Sequence, residues 1–273
     1  MGQHLSTFAR IYRGVLGVLI TFVGNRWDRI QNRGSQRNED TSHHPQSLKT
    51  VASVPITELS GCVVNTSPQA TSCRFRLLDV ASFLDMDTFE ITEFPGIIET
   101  QNARTDLSQI ILPPYAAISY PWRDLQHPQG TSAPSFSVAG ALHADPISID
   151  VLKTACLAAR AYGCGYIWLD RLSILQGDKK DKNWQIQRMF HVYKQCCVCL
   201  VFPGGLVRLA KLDDSTTWID RAWTLQETVA PGVENTKVVI HLSHPTYTDY
   251  LRHRCKDVGY TERFSDLYVG EAK

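Results

Sequence analysis

The run Tyr166-Ile-Trp-Leu-Asp170 is a short apolar segment that ends in an acid. This composition is typical of a buried parallel strand whose carboxyl end reaches solvent. The pattern before it predicts a helix, with Asp145 as its N-cap, Pro146 at its first position and Gly163 as its terminator. Because the helix has one apolar face, we expect it to pack on the sheet.

Strand and helix patterns continue on both sides of this run. Before it, alternating apolar residues predict strands at Phe75–Val80, Phe89–Phe94 and Tyr115–Tyr120. After it, apolar residues between Trp184 and Tyr193 predict a helix, and Cys197–Phe202 predicts another strand. This alternation predicts an α/β layered fold with a mainly parallel central sheet flanked by helices.

Polar or small residues follow three of the predicted strands. They are Ser119, Asp170 and Gly204. Ligands of open parallel sheets bind beyond the carboxyl ends of the strands, so we expect these positions to converge on a site. Taken alone, Asp170 is equally well explained as a helix cap or a turn former.

Composition and charge exclude several classes of protein. The chain has 273 residues, of which 43 % are hydrophobic and 20 % charged, and this excludes a wholly disordered, collagen-like or coiled-coil protein. Its net charge of +1 provides no overall field to recruit nucleic acid. Eight cysteines, several of them in apolar runs, favour a reducing compartment. Cys196 and Cys199 have metal-like spacing, but no second ligand pair follows them, so we interpret them as buried strand thiols and predict no metal site.

The N-terminus, residues 1–30, has the pattern of an amphipathic helix. Its apolar run Val15–Val23 is shorter than the ~20 residues that a membrane span requires. The first six residues match the N-myristoylation pattern, with Gly2 as the acceptor, and five arginines against one aspartate up to residue 34 favour anionic lipid. We therefore expect a cytoplasmic protein that attaches peripherally to a membrane; the alternatives are a helix packed on the domain or a secretory signal.

Residues 31–71 are rich in polar residues and proline, and we interpret them as a flexible linker. Residues 241–273 form a polar, charged C-terminal extension.

Four blocks occur in order along the rest of the chain. They are Tyr115-Ala-Ala-Ile-Ser-Tyr-Pro-Trp122, Tyr166-Ile-Trp-Leu-Asp-Arg-Leu-Ser-Ile-Leu-Gln176, Met189 with Tyr193, and Trp218-Ile-Asp-Arg-Ala-Trp-Thr-Leu-Gln-Glu227. Together they resemble the fungal heterokaryon incompatibility (HET) domain, over roughly Phe75–Glu227. The resemblance implies a HET domain at residues 72–240, a role in allorecognition or programmed cell death, and a fold similar to Toll/interleukin-1 receptor (TIR) domains.

The same resemblance implies a reaction. TIR-like enzymes cleave the nicotinamide glycosidic bond of NAD with a Glu near a Trp-containing helix, and Trp223-Thr-Leu-Gln-Glu227 is similar to that segment. Glu227 thereby becomes the catalytic candidate, since a carboxylate stabilises the oxocarbenium-like ribose that nicotinamide leaves behind. NAD would be a substrate, and no cofactor is expected.

Five further residues have candidate roles around that reaction. Asp170 would hold a ribose hydroxyl or raise the pKa of Glu227, and Ser119 would add a hydrogen bond. Arg221 would pair with the pyrophosphate and Trp122 would stack on a flat ring. Arg123 stands where the family usually has Gly, and its bulk and charge would either block the pocket or hold a phosphate. Ser173 replaces the usual Cys of the second block.

Each role has a structural alternative. Trp168, Trp218 and Trp223 are expected to be core residues, because large aromatic side chains usually supply buried area. Arg221 and Glu227 could form a structural ion pair, although their six-residue separation does not make them neighbours on a helix. The sequence contains no G-x-S-x-G nucleophile motif and no Walker lysine. The alternative to catalysis is a non-catalytic module that associates with itself or with another signalling protein.

Overall fold

The computed structural model describes residues 48–94, 112–123, 133–211, 214–232, 235–241, 263–264 and 267–271. All of them belong to one structural unit, Leu48–Ala272. The predicted N-terminal helix with its acceptor Gly2, and most of the predicted C-terminal extension, lie outside the described residues. No helix among the described residues is long and apolar enough to cross a membrane.

The described residues form twelve strands and six α-helices. The strands are β1 (Lys49–Pro55), β2 (Val63–Val64), β3 (Phe75–Asp79), β4 (Thr88–Phe94), β5 (Tyr115–Ser119), β6 (Ser135–Val138), β7 (Ile147–Ser148), β8 (Tyr166–Trp168), β9 (Val198–Val201), β10 (Thr236–His241), β11 (Arg263–Phe264) and β12 (Leu267–Glu271). The helices are α1 (Ile56–Leu59), α2 (Val80–Asp85), α3 (Ile149–Ala161), α4 (Asp170–Ser173), α5 (Lys179–Gln195) and α6 (Thr224–Val229).

Nine strands build the large sheet, in the order β1-β4-β3-β8-β5-β9-β10-β12-β11. Strands β8, β5, β9 and β10 are parallel neighbours, which gives three parallel junctions. The other five junctions are antiparallel. The structure is therefore a mixed α/β fold with a mostly antiparallel sheet.

The prediction of a mainly parallel sheet is wrong outside this central block. The chain passes from β3 to β4 through the short helix α2, and a connection of this length allows only antiparallel pairing. Strand β1 then adds antiparallel to β4 at the edge of the sheet. The α/β alternation that suggested a parallel sheet holds only from β5 to β9, and similarity to TIR domains is not shown by this topology.

The first long helix, α3, begins three residues later than predicted. Its N-cap is Ser148, whose side chain accepts a hydrogen bond from the backbone N–H of Val151. Asp145 and Pro146 do not cap it, because Ile147 is paired with Phe136 of β6 as part of β7. The predicted terminator is confirmed, since Gly163 adopts a positive φ of 74° just beyond the helix.

The linker prediction for residues 31–71 differs from the structure from residue 48 onward. Strand β1 pairs along β4, and Val51 of β1 and Leu59 of α1 are only 2 % and 0 % exposed. Strand β2 joins β6 and β7 in a second sheet of three strands. Few apolar side chains are needed here, because a strand at the edge of an existing sheet gains its backbone hydrogen bonds from its neighbour.

Two hydrophobic clusters cover the two faces of the large sheet. Side chains of β5 alternate between them: Ala116 and Ile118 join the cluster that contains α3, while Tyr115 and Ala117 join the cluster that contains α5. Trp168 is fully buried in the second cluster, as predicted for a core residue. The central strands are thus fixed from both sides, so their carboxyl ends are firmly positioned.

A buried polar network ties α5 to β3. Arg76 donates to the carboxylate of Asp181 at 2.5 Å and to the carbonyl oxygen of Ser173 at 2.9 Å. Asp181 also accepts from the backbone N–H of Leu175, and both Arg76 and Asp181 have no exposed side-chain surface. The network therefore anchors the chain that follows Asp170.

The cysteine run around β9 is divided between core and surface. Cys196 and Cys199 are buried, as predicted, whereas Cys197 is exposed. Burial raises the pKa of the Cys196 thiol to about 12 and that of Cys199 well above its usual value. The described part of the chain contains no group of three or more His, Cys, Asp or Glu residues placed to hold a metal ion.

Candidate functional site

The candidate site lies where β5, β8 and β9 end. Strand β5 is parallel to both neighbours, so all three carboxyl ends face the same edge of the sheet. Ser119 is the last residue of β5, Asp170 follows β8, and Gly204 follows β9. The structure thus brings the three predicted strand ends together.

The turns after β9 and β5 approach each other closely. Gly205 has a positive φ of 81°, and a Cβ at this position would lie 3.2 Å from the carbonyl oxygen of Pro121. A glycine is needed here for its backbone angle and for the lack of a side chain.

Glu227 reaches the site from a segment that comes after these strands. A short 3₁₀ helix, Trp218–Asp220, precedes α6. The hydroxyl of Thr224 donates to the carbonyl oxygen of Trp218 at 2.5 Å and joins the two helices. This compact turn places Trp218, Arg221 and Glu227 against the end of β5.

The Glu227 carboxylate accepts three hydrogen bonds. The Ser119 hydroxyl donates to Oε2 at 2.5 Å. The Arg221 guanidinium donates to Oε1 at 3.1 Å and to Oε2 at 3.3 Å. Glu227 is 4 % exposed, whereas the Arg221 side chain is 22 % exposed. The site therefore presents the guanidinium to solvent and keeps the carboxylate behind it.

Burial raises the pKa of Glu227 above its usual value of 4.5, and the nearby charge of Asp170 adds to this effect. Arg221 and the Ser119 hydrogen bond act in the opposite direction without cancelling it. Tyr193 of α5 lies beneath the site, with its hydroxyl donating to the carbonyl oxygen of Ile118 at 3.0 Å. Burial and then the charge of Glu227 raise the pKa of Tyr193.

Asp170 is held in a second network. Its carboxylate accepts from the Tyr120 hydroxyl at 2.5 Å, from the Trp122 indole N–H at 2.7 Å and from the backbone N–H of Arg171 at 2.7 Å. These donors occupy both carboxylate oxygens. Asp170 therefore fixes the position of Trp122 and acts on Glu227 through its charge.

This geometry can be compared with known proteins. Residues 115–208 match the family model of the heterokaryon incompatibility protein (HET). The match covers about a third of the chain and indicates a function related to heterokaryon incompatibility. No curated protein and no solved structure matches this chain significantly. The HET match runs from β5 to the turn after β9, so it includes Ser119, Trp122 and Asp170, while Arg221 and Glu227 lie beyond it.

Arg123, within the HET match, does not join either carboxylate network. It is exposed, and its Nε donates to the carbonyl oxygen of His143 at 2.7 Å. The neighbouring Trp122 ring lies 5.3 Å from the His143 ring. Among the described contacts Arg123 therefore supports the loop beside Trp122.

Sequence reasoning missed two residues of the HET match that organise the Asp170 network, Tyr120 and Arg171. Arg171 is 2 % exposed, its Nε donates to the Tyr120 hydroxyl at 2.9 Å, and its guanidinium lies 5.1 Å from the centre of the Tyr120 ring. Arg171 follows Asp170 in the mostly apolar stretch 166–175, and this was a signal for such a role, because a buried charge needs partners.

Of the two tryptophans beyond the HET match, Trp218 packs against the core as expected and Trp223 does not. Trp218 is half-buried against the second cluster and also donates from its indole N–H to the Ser119 hydroxyl oxygen at 2.7 Å. Trp223 is 43 % exposed, so its assignment to the core is wrong. In the short helix α6, Glu227 faces inward, and the adjoining Trp223 remains on the solvent side.

Proposed function

We propose that this protein is a heterokaryon-incompatibility-type signalling protein of fungal allorecognition or programmed cell death that acts by cleaving the nicotinamide glycosidic bond of NAD. The proposal depends chiefly on one observation. Glu227, a buried carboxylate with a raised pKa, lies with Ser119 and Arg221 at the carboxyl ends of parallel strands. A buried carboxylate with a perturbed pKa and a charged partner, placed at such an edge, is a candidate for a functional site.

The chemistry needs a carboxylate and an anion-binding group side by side. Cleavage breaks the bond between the ribose C1′ and the nicotinamide nitrogen, and the bonding electron pair leaves with nicotinamide. Water then adds to C1′ and loses a proton, which gives ADP-ribose. Glu227 would stabilise the cationic ribose in the transition state.

The other residues bind and orient in this scheme. Arg221 is the more exposed partner of the ion pair, so it is the group that a pyrophosphate would reach first. When Arg221 turns towards the pyrophosphate, Glu227 loses two donors and becomes available to the ribose. Trp122, fixed by Asp170, offers a ring face for stacking.

The test measures nicotinamide release from NAD by the purified full chain at high protein concentration. Glu227→Gln keeps the size of the side chain and removes its charge, and we expect it to abolish release. The matched control is Glu90→Gln. Glu90 also accepts from hydroxyl groups, those of Thr50 and Ser82, but it belongs to β4, which is separated from β5 by two strands.

Release by Glu90→Gln at the wild-type rate, together with its loss in Glu227→Gln, supports the proposal. Equal release by Glu227→Gln and wild type would refute the role of Glu227. No release by the folded wild-type protein at any concentration would refute NAD cleavage itself.

A second candidate function is a non-catalytic module that associates with a second copy of the chain. The observation that favours it is the apolar surface of the α6 segment beside the site. Trp223, Leu225 and Val229 are 43 %, 69 % and 46 % exposed. Burying such side chains between two copies contributes about 25 cal/mol for each Å² of apolar area.

Light scattering at increasing concentration tests this candidate. We expect the wild-type chain and Glu227→Gln to associate, and Leu225→Asp to remain monomeric. Wild-type protein that stays monomeric throughout the concentration range would exclude self-association as the mode of action.

We also propose that the protein acts from the cytoplasmic surface of a membrane through a myristoylated Gly2. A single acyl chain binds only marginally, and the arginines of the N-terminal region would supply the second signal. In a eukaryotic host, Gly2→Ala should move the protein from the membrane fraction to the supernatant. Unchanged membrane recovery would argue against the acyl anchor.

A further inference from the structure

We propose that Trp218 is a positioning residue whose indole N–H orients the Ser119 hydroxyl so that the hydroxyl donates to Glu227. The inference deepens the proposed function and rests on it for the catalytic role of Glu227. Trp218 itself acts only through Ser119.

The direction of the hydrogen-bond chain follows from the donor chemistry of its three members. An indole N–H can only donate, so at 2.7 Å the Ser119 oxygen must be its acceptor. The hydroxyl carries one proton, and its oxygen lies 2.5 Å from Glu227 Oε2. Ser119 is 1 % exposed, so water does not compete for that proton. The proton therefore points to the carboxylate.

Trp218 is well placed to hold this orientation. Its ring packs against the buried cluster that contains Tyr193 and Trp168. Its carbonyl oxygen accepts from the Thr224 hydroxyl at the start of α6, the helix that carries Glu227. The indole donor and the carboxylate are thus fixed relative to each other, and Ser119 connects them.

Removing the indole N–H frees the Ser119 hydroxyl to rotate. Glu227 would then lose, for part of the time, a donor that favours its charged form. The other titratable groups near Glu227 stay in place: Arg221 and Asp170, whose charges act on its pKa, and Tyr193 of α5 and Cys199 of β9, whose own pKa values are raised by its charge. The fraction of ionised Glu227 should therefore fall without any change in these neighbours.

The experiment is an infrared titration of the Glu227 carboxylate, obtained as the difference between each protein and its Glu227→Gln counterpart. Trp218→Phe keeps an aromatic ring and removes the donor. We expect its titration midpoint to lie at higher pH than that of the wild type. The matched control is Trp223→Phe, which alters an exposed tryptophan in the same segment and should leave the midpoint unchanged.

A double-mutant cycle separates positioning from a general structural effect. Ser119→Ala should raise the midpoint by itself, and adding Trp218→Phe to Ser119→Ala should cause no further shift. A midpoint that Trp218→Phe leaves unmoved, or an equal further shift in the Ser119→Ala background, would overturn the inference. The titration does not use turnover, so loss of the NAD reaction and loss of the positioning role are distinguishable.

If Trp218→Phe does not fold, the chain of hydrogen bonds can still be tested in the wild-type protein, where Trp218 is intact. In wild-type protein labelled with ¹⁵N-tryptophan, one of the six indole resonances should titrate with the Glu227 midpoint. In Ser119→Ala that resonance should no longer follow the midpoint. If no indole resonance follows Glu227 in the wild type, the proposed chain of hydrogen bonds is refuted.

Discussion

The pKa of the Glu227 carboxyl is raised by burial and lowered by Arg221 and Ser119. Burial disfavours its charge, while Arg221 and Ser119 favour it, and the net result is a pKa above 4.5 in the folded protein. The unfolded chain has no such environment. Between these two pKa values the folded state binds a proton that the unfolded state has already lost.

This difference predicts how stability depends on pH. The contribution of Glu227 is fully present below about pH 4.5 and is lost as the pH rises through the raised pKa of the folded state. Glu227→Gln cannot titrate. In urea unfolding, the free energy of unfolding of the wild type should therefore fall relative to that of Glu227→Gln as the pH rises from about 4.5 through the raised pKa. At higher pH the difference between the two proteins should stay constant. Parallel pH profiles would show that the pKa is not raised.

At the scale of elements, the buried Arg76–Asp181 pair joins β3 to α5 and supports the turn after Asp170. Asp181→Asn removes the nearer counter-charge of the buried Arg76 guanidinium and leaves only Glu93, at 3.8 Å. Breaking a buried ion pair typically costs about 3–5 kcal/mol. We expect a loss of that size in the free energy of unfolding, measured by chemical denaturation.

The control for this prediction is the Arg160–Asp85 pair, whose side chains are 45 % and 56 % exposed. Asp85→Asn should cost no more than about 1 kcal/mol, because solvent screens exposed ion pairs. If both substitutions cost the same, the buried network does not stabilise the fold in the way that we describe.

The elements that were predicted correctly from the sequence are those with a strong local pattern. Strands β3, β4, β5, β8 and β9 and helices α3 and α5 show strong apolar periodicity, and the carboxyl ends of β5, β8 and β9 were correctly expected to meet. The direction of β3 and β4 could not be predicted in this way, since a buried strand has the same apolar pattern in either orientation. Strand β1 was missed because only Val51 of its seven residues is buried, so its sequence does not need the strong apolar pattern by which the other strands were predicted.

The candidate site was predictable only in part, for a related reason. Ser119 and Asp170 are marked by their positions after strands, but Arg221 and Glu227 meet through a turn whose shape depends on tertiary packing. The hydrogen bond from the Trp218 indole to Ser119 could not be predicted, because the sequence does not distinguish an aromatic residue that only packs in the core from one that also donates a hydrogen bond.

At the scale of the whole molecule, the described unit begins with a strand at the edge of the large sheet. We predict that a chain starting at residue 48 is more stable than one starting at residue 56. The shorter chain lacks β1, which exposes Phe89 and Ile91 of β4, both now 0 % exposed. Its melting temperature by differential scanning calorimetry should be at least about 5 °C lower. Equal melting temperatures would show that residues 48–55 do not stabilise the fold and behave as a linker.

The order of strands also determines what a growing chain can assemble during synthesis. Strands β1, β3 and β4 can pair once residue 94 has left the ribosome, but both neighbours of β5 come later in the chain. The whole of Tyr115–Ser119 is buried in the finished protein, yet it must wait for Tyr166–Trp168 to be translated before it gains a partner. Slow decoding between these segments would prolong the exposure of an unpaired apolar strand and favour aggregation of the nascent chain.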